Sequence, residues 1–215
     1  MKTIVINGSP NGRKGNTEIF IQNFIAGMTQ GVEVKRIIEE DYEKLANLVK
    51  EYDSLILALP LYIHSMPGIV MRFIEHLEAN TTNKPQRIGF ILQCGFPEGS
   101  QCKYLERYFE SLAKELNMNY LGTLIKTDAA GTYVMPEFMT KKLFASLKRF
   151  GEIYEITHEF NMKIIEEMKQ PYEIMGFKLK LMKFLKKLGM MDIMWNNLLR
   201  KNKAFEKRYH RPYCN

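Results

Sequence analysis

Five short apolar runs, at 3–6, 32–38, 54–59, 87–93 and 120–126, alternate along this chain with helical stretches at about 16–29, 42–51, 66–79, 101–117 and 138–169. Several runs are almost continuously apolar, as strands buried on both faces are. Between them the spacing turns helical: Ile19, Phe20, Asn23, Phe24 and Met28 share one face, and so do Val70, Phe73, Ile74 and Leu77. Five strand–helix units with short connections predict one parallel sheet with helices on both faces. Such sheets bind ligands at the carboxyl ends of their strands, where the strand order reverses. The turns at 8–16, 60–66 and 94–100 therefore fall along one edge, with the loop at 127–135 overlooking it.

The first of these turns, GSPNGRKGNT, suits an anion. Gly8 and Gly12 let the backbone bend and approach a ligand closely. Gly15, Asn16 and Thr17 open the next helix, whose N-terminus offers unpaired N–H groups and partial positive charge. Ser9, Asn16 and Thr17 add side-chain donors, and Lys14 or Arg13 adds charge. The spacing is neither the G-x-G-x-x-G of dinucleotide folds nor the G-K-[ST] ending of the P-loop. An ordinary capped strand-to-helix turn remains the alternative reading.

The second turn, PLYIHSMPG, places Leu61, Tyr62 and Ile63 after the strand-ending Pro60. Large apolar side chains in succession suggest that something flat covers them, or that they pack on a neighbouring loop or a second subunit. Ser65 and Pro67 read as the start of a helix. His64 has a side chain that titrates near neutrality; it reads more simply as an exposed loop residue than as a proton donor. In the third turn Gln93 and Cys94 end the strand, Gly95 allows backbone N–H groups to reach a ligand edge, and Phe96 can cover a face. A simple turn is again the alternative, and Cys94 reads as inert packing rather than as a redox thiol.

Charge divides the 215 residues unevenly. Residues 166–215 hold twelve Lys and Arg against five Asp and Glu, whereas residues 1–165 hold nineteen of each. The domain expectation is a ligand-binding unit over 1–169 and a basic helical extension over 170–215. In the extension Ile174, Phe177, Leu181, Phe184, Leu185 and Leu188 form a stripe, with Lys178, Lys180, Lys183, Lys186 and Lys187 around it. Such a helix can lie on an anionic membrane, cover the ligand site or pack on protein. Trp195 and the many methionines favour packing, so membrane contact is the lesser reading and nucleic acid is not expected. Cys94, Cys102 and Cys214 form no zinc or C-x-x-C spacing, and no metal site is expected. Lys2 is followed by too few apolar residues for a secretory segment, which points to the cytoplasm.

Two of the turns carry a resemblance. GSPNGRKGNT followed about sixty residues later by PLYIHSMPGIVMRFIEH, with DYEKLANLVKEYDSLILALPLY leading into it, resembles the flavodoxin-like NAD(P)H-dependent FMN reductases and quinone reductases over roughly residues 1–130. The resemblance implies an α/β flavodoxin-like three-layer sandwich with a five-stranded parallel sheet of order 2-1-3-4-5. It implies bound FMN, NAD(P)H as co-substrate, and a quinone, flavin or aromatic acceptor. Ser9, Asn11, Lys14, Asn16 and Thr17 would hold the phosphate. Pro60, Leu61, Tyr62 and Ile63 would line the isoalloxazine, and Gln93, Cys94, Gly95 and Phe96 would meet its pyrimidine edge, Gly95 and Phe96 through N–H groups. A homodimer sharing the site is expected, and no catalytic side chain is. A flavodoxin-type electron carrier without nicotinamide oxidation is the alternative; its need for an acidic face fits this charge distribution less well. Asn11, Arg72 and His76 depart from the family's usual Arg, Lys and Asp.

Overall fold

The computed structural model describes residues 1–82, 84–169 and 173–211. They fall into two compact units, Met1–Glu173 and Ile174–Asn215. Gln170, where the extension was expected to begin, and Cys214 lie outside the described residues.

The first unit is built on β1 (Thr3–Asn7), β2 (Glu33–Arg36), β3 (Ser54–Pro60), β4 (Arg87–Gln93) and β5 (Asn119–Lys126), all parallel, in the order 2-1-3-4-5. The fold is thus the expected flavodoxin-like one. Every residue of β1 and β3 is buried, which is why residues 4–6 and 55–59 read as unbroken apolar runs. β2 lies at one edge, is only partly buried, and is shorter than the apolar-leaning stretch suggested. Ile37–Glu39 turn away in a short 3₁₀ segment.

Two cores sandwich the sheet. Alternation along each strand sends Ile4, Ile6, Leu55, Leu57 and Leu59 to one face, with Val5, Ile56 and Ala58 on the other. The first face packs on α2 (Tyr42–Val49), α3 (Gly68–Glu75) and α4 (Lys103–Glu115). The second packs on α1 (Asn16–Ile25), α5 (Glu137–Thr157) and α6 (Met162–Met168). α1 and α5 run very close together: a Cβ on Gly151 would lie 1.9 Å from the Phe24 carbonyl oxygen, and one on Gly27 equally close to that of Lys148.

The helical stretch expected over 138–169 is two helices. α5 stops at His158, which is left-handed (φ 57°), and Asn161 then caps α6 by accepting from the Ile164 N–H at 3.0 Å. The break lets Phe160 turn inward. Its ring packs on Phe150 and Tyr154 and fills the space that a side chain at Gly89 would need. Apolar spacing alone did not separate the two helices; the Asn161 cap was the available signal.

The second unit contains α7 (Gly176–Lys187) and α8 (Ile193–Lys201), joined through the left-handed Gly189. Among the described residues no helix is long and apolar enough to cross a membrane.

Candidate active site

The carboxyl ends of β1, β3 and β4 open onto a cavity of about 680 Å³ at the point where the strand order reverses. Its walls include Ser9, Asn11, Lys14, Gly15 and Asn16 on one side, and Pro60, Leu61, Tyr62, Ile63, Gln93, Gly95 and Phe96 on the other. Ala130 and Tyr133 complete it. Of the thirteen residues that the sequence pointed to, only Thr17 and Cys94 are absent from the wall; both are buried. Thr17 Oγ1 accepts from Gln93 Nε2 at 3.5 Å.

The first loop is held from beneath. Asn7 Oδ1 accepts from the Ser9 N–H at 2.8 Å, and Asn7 Nδ2 donates to the Gly12 carbonyl and to Glu18 Oε2. Glu18 also accepts from Gln22 and, through both oxygens, from Arg36, whose Nε lies 3.0 Å from Oε2. Burial pushes the Glu18 carboxyl up, but the bonds from Arg36, Asn7 and Gln22 outweigh it and hold the group below its ordinary value. This Asn7–Glu18–Arg36 support was not legible in the sequence: its members come from β1, α1 and β2. Gly12 is left-handed (φ 50°), the backbone conformation that favours glycine here; a Cβ would meet only the movable end of the exposed Ile38 side chain.

This loop fits an anionic group. α1 begins at Gly15 with no side-chain cap, and the Gly15, Asn16 and Thr17 N–H groups find no acceptor among the described residues. An open helix start on a cavity wall has the donors and partial positive charge that suit an anion. Of the two candidate cations, Arg13 is engaged by Glu39 at 2.9 Å, while Lys14 lines the cavity. Asn16 does not offer its amide to the cavity as expected. Its Nδ2 donates to the Ala129 carbonyl at 2.6 Å and ties down the 127–135 loop, leaving Oδ1 unpartnered.

The other end is apolar and flat. Tyr62 and Ser65 exchange backbone hydrogen bonds across Ile63 and His64, both left-handed at φ 47° and 64°. That conformation is costly for a β-branched residue, yet Ile63 is 92% exposed and gains no packing in return. Tyr62, Phe96 and Tyr133 are also exposed around the opening. The Phe96 N–H is directed at Cys94 Sγ (3.4 Å) and not into the cavity, whereas the Gly95 N–H has no acceptor among the described residues. His64 is exposed, and Cys94 and Cys102 are buried thiols.

Fold and cavity together define a flavodoxin-like mononucleotide-binding protein. The sequence matches the NADPH-dependent FMN reductase family over residues 1–128, and the chain belongs to that family. It is an oxidoreductase that works with FMN and NAD(P)H. No match was found among curated proteins.

Among solved structures, the fold is similar to that of an NADPH-quinone reductase from P. pentosaceus (TM-score 0.55, 21% identity, 70% of this chain and 98% of the other). It is also similar to an FMN-dependent NADH-azoreductase from Bacillus anthracis (0.54, 9%, 72% and 100%). A third likeness is to general stress protein 14 from Treponema denticola, solved with FMN (0.54, 17%, 69% and 99%).

Proposed function

We propose that the cavity holds FMN with its phosphate on the open start of α1, and that electrons from NADPH or NADH leave for a quinone, a free flavin or an azo- or nitro-aromatic. The observation that carries this is the division of one cavity into a donor-rich end and a flat apolar end. Bound FMN supplies reversible hydride acceptance, which no side chain here can perform. The Gly15, Asn16 and Thr17 N–H groups bind the phosphate, with Lys14 balancing its charge. Tyr62, Ile63, Phe96 and Tyr133 shield the apolar end from water. The Gly95 N–H donates to the pyrimidine edge, where a preorganised donor stabilises developing negative charge. The exposed rim is then the contact for the acceptor, and for a second copy of the chain in a homodimer.

Purified protein reconstituted with FMN should lose its flavin absorbance anaerobically on addition of NADPH or NADH. Retention of colour with both would leave an electron carrier and refute the reductase reading.

A further inference from the structure

Beyond Glu173 the chain changes character. Residues 174–215 carry eleven Lys and Arg against two Asp and Glu, while residues 1–173 carry twenty against twenty-two. Along α7 and its C-cap Leu188, Phe177, Leu181, Phe184, Leu185 and Leu188 fall inside an arc of about 100° when each residue turns about 100°. Lys180, Lys183 and Lys187 occupy a separate arc beside it. Within the second unit this stripe lies open. Ile174 is buried and Leu185 half-buried, but Phe177, Leu181, Phe184 and Leu188 are exposed, Phe177 by 79%. Leu179, Met190, Ile193 and Trp195 are exposed as well, Trp195 by 58%.

Apolar surface of this extent on a basic segment marks an interaction site. Charge and shape select the occupant. A second copy of the segment would set one excess of nine positive charges against another. A nucleic acid would use the lysines but has no place for a stripe of Phe and Leu. An anionic bilayer takes both. The acyl boundary accepts the Phe and Leu side chains, lysine stems run along the apolar surface, and their ammonium groups reach the headgroups. Trp195 and Tyr209 have the amphipathic rings that favour headgroup depth. α7, at about 18 Å, is too short to cross the hydrocarbon layer and suits lying in its surface.

We propose that α7 and α8 dock this protein on an anionic phospholipid surface, through the Phe177–Leu181–Phe184–Leu188 stripe and the flanking lysines. The segment lies outside the family match, which covers residues 1–128.

Trp195 is the single tryptophan of the chain, so its emission reports the contact directly. The full-chain protein should sediment with phosphatidylcholine vesicles containing about a quarter phosphatidylglycerol, with a blue shift of Trp195 emission. High salt should weaken this binding, and pure phosphatidylcholine should retain far less protein. K180Q/K183Q/K187Q should lower the vesicle partition coefficient about a hundredfold, at about fivefold per lysine. F184S/L188S should remove the blue shift. Unchanged thermal midpoints would show that the variants are folded. No sedimentation with the anionic vesicles would overturn the proposal. So would equal retention by both lipids, tighter binding to a DNA duplex than to vesicles, or self-association in which vesicles leave Trp195 emission unmoved.

Discussion

Replacing Arg36 by methionine tests whether the first loop is held in the way its hydrogen bonds indicate. Arg36 and Glu18 are each 8% exposed. Glu18 takes bonds from Arg36, Asn7 and Gln22, and Arg36 brings the positive charge of that set. Removing one partner of a buried ion pair costs about 3–5 kcal/mol, because the other charge stays buried and uncompensated. Asn7 and Gln22 go on donating, so the lower end, about 3 kcal/mol, is expected for R36M at neutral pH.

The pH dependence has a definite sign. In the native protein the Glu18 carboxyl is held below its ordinary value, so its contribution is present above the unfolded carboxylate pKa and is lost as pH falls through the folded one. In R36M burial dominates and raises that pKa. Protonation then relieves the unpaired charge, and the loss of stability should shrink as pH falls toward about 5. Urea unfolding of the FMN-free protein at both pH values reads this directly. E18Q/R36M should recover most of the loss at neutral pH, since the residual amide carries no charge. A loss below about 1 kcal/mol, or a loss that grows on acidification, would refute the argument. Weaker FMN binding by R36M should accompany the loss, since Glu18 anchors Asn7 and Asn7 anchors Ser9.

Further outcomes follow from single positions. Lys14→Ala should weaken FMN binding about tenfold, the scale of one charged hydrogen bond, and leave riboflavin binding unchanged; flavin fluorescence titration separates the two. Ile63→Asn should raise the unfolding free energy by about 1 kcal/mol, because Asn tolerates the left-handed region and the exposed isoleucine loses no packing; a lowered thermal midpoint would count against strain at this turn. Gly151→Ala should destabilise by more than about 3 kcal/mol, since its Cβ meets the Phe24 carbonyl oxygen at 1.9 Å. A near-native midpoint would show that α1 and α5 can separate at little cost.

The sequence alone determined the sheet and the edge that carries the cavity. β1, β3 and β4 are buried on both faces, so their central residues must be apolar, and strand–helix alternation leaves little freedom of connection. The turns after those strands were legible for the same reason: glycine, asparagine and exposed aromatics there answer local backbone and surface needs. Tertiary structure decided which groups are free to act. Asn16 and the Phe96 N–H looked like ligand donors and are engaged by Ala129 and Cys94. Arg13 is turned to Glu39, which leaves Lys14 as the cation on the wall. The Asn7–Glu18–Arg36 support joins residues up to twenty-nine positions apart, and the break before Asn161 exists because Phe160 must reach Gly89 across the core. In the second unit the sequence wrote an amphipathic helix, and that unit by itself leaves the apolar stripe uncovered. A local pattern states what a face can bury, whereas burial itself depends on what the rest of the chain brings against it.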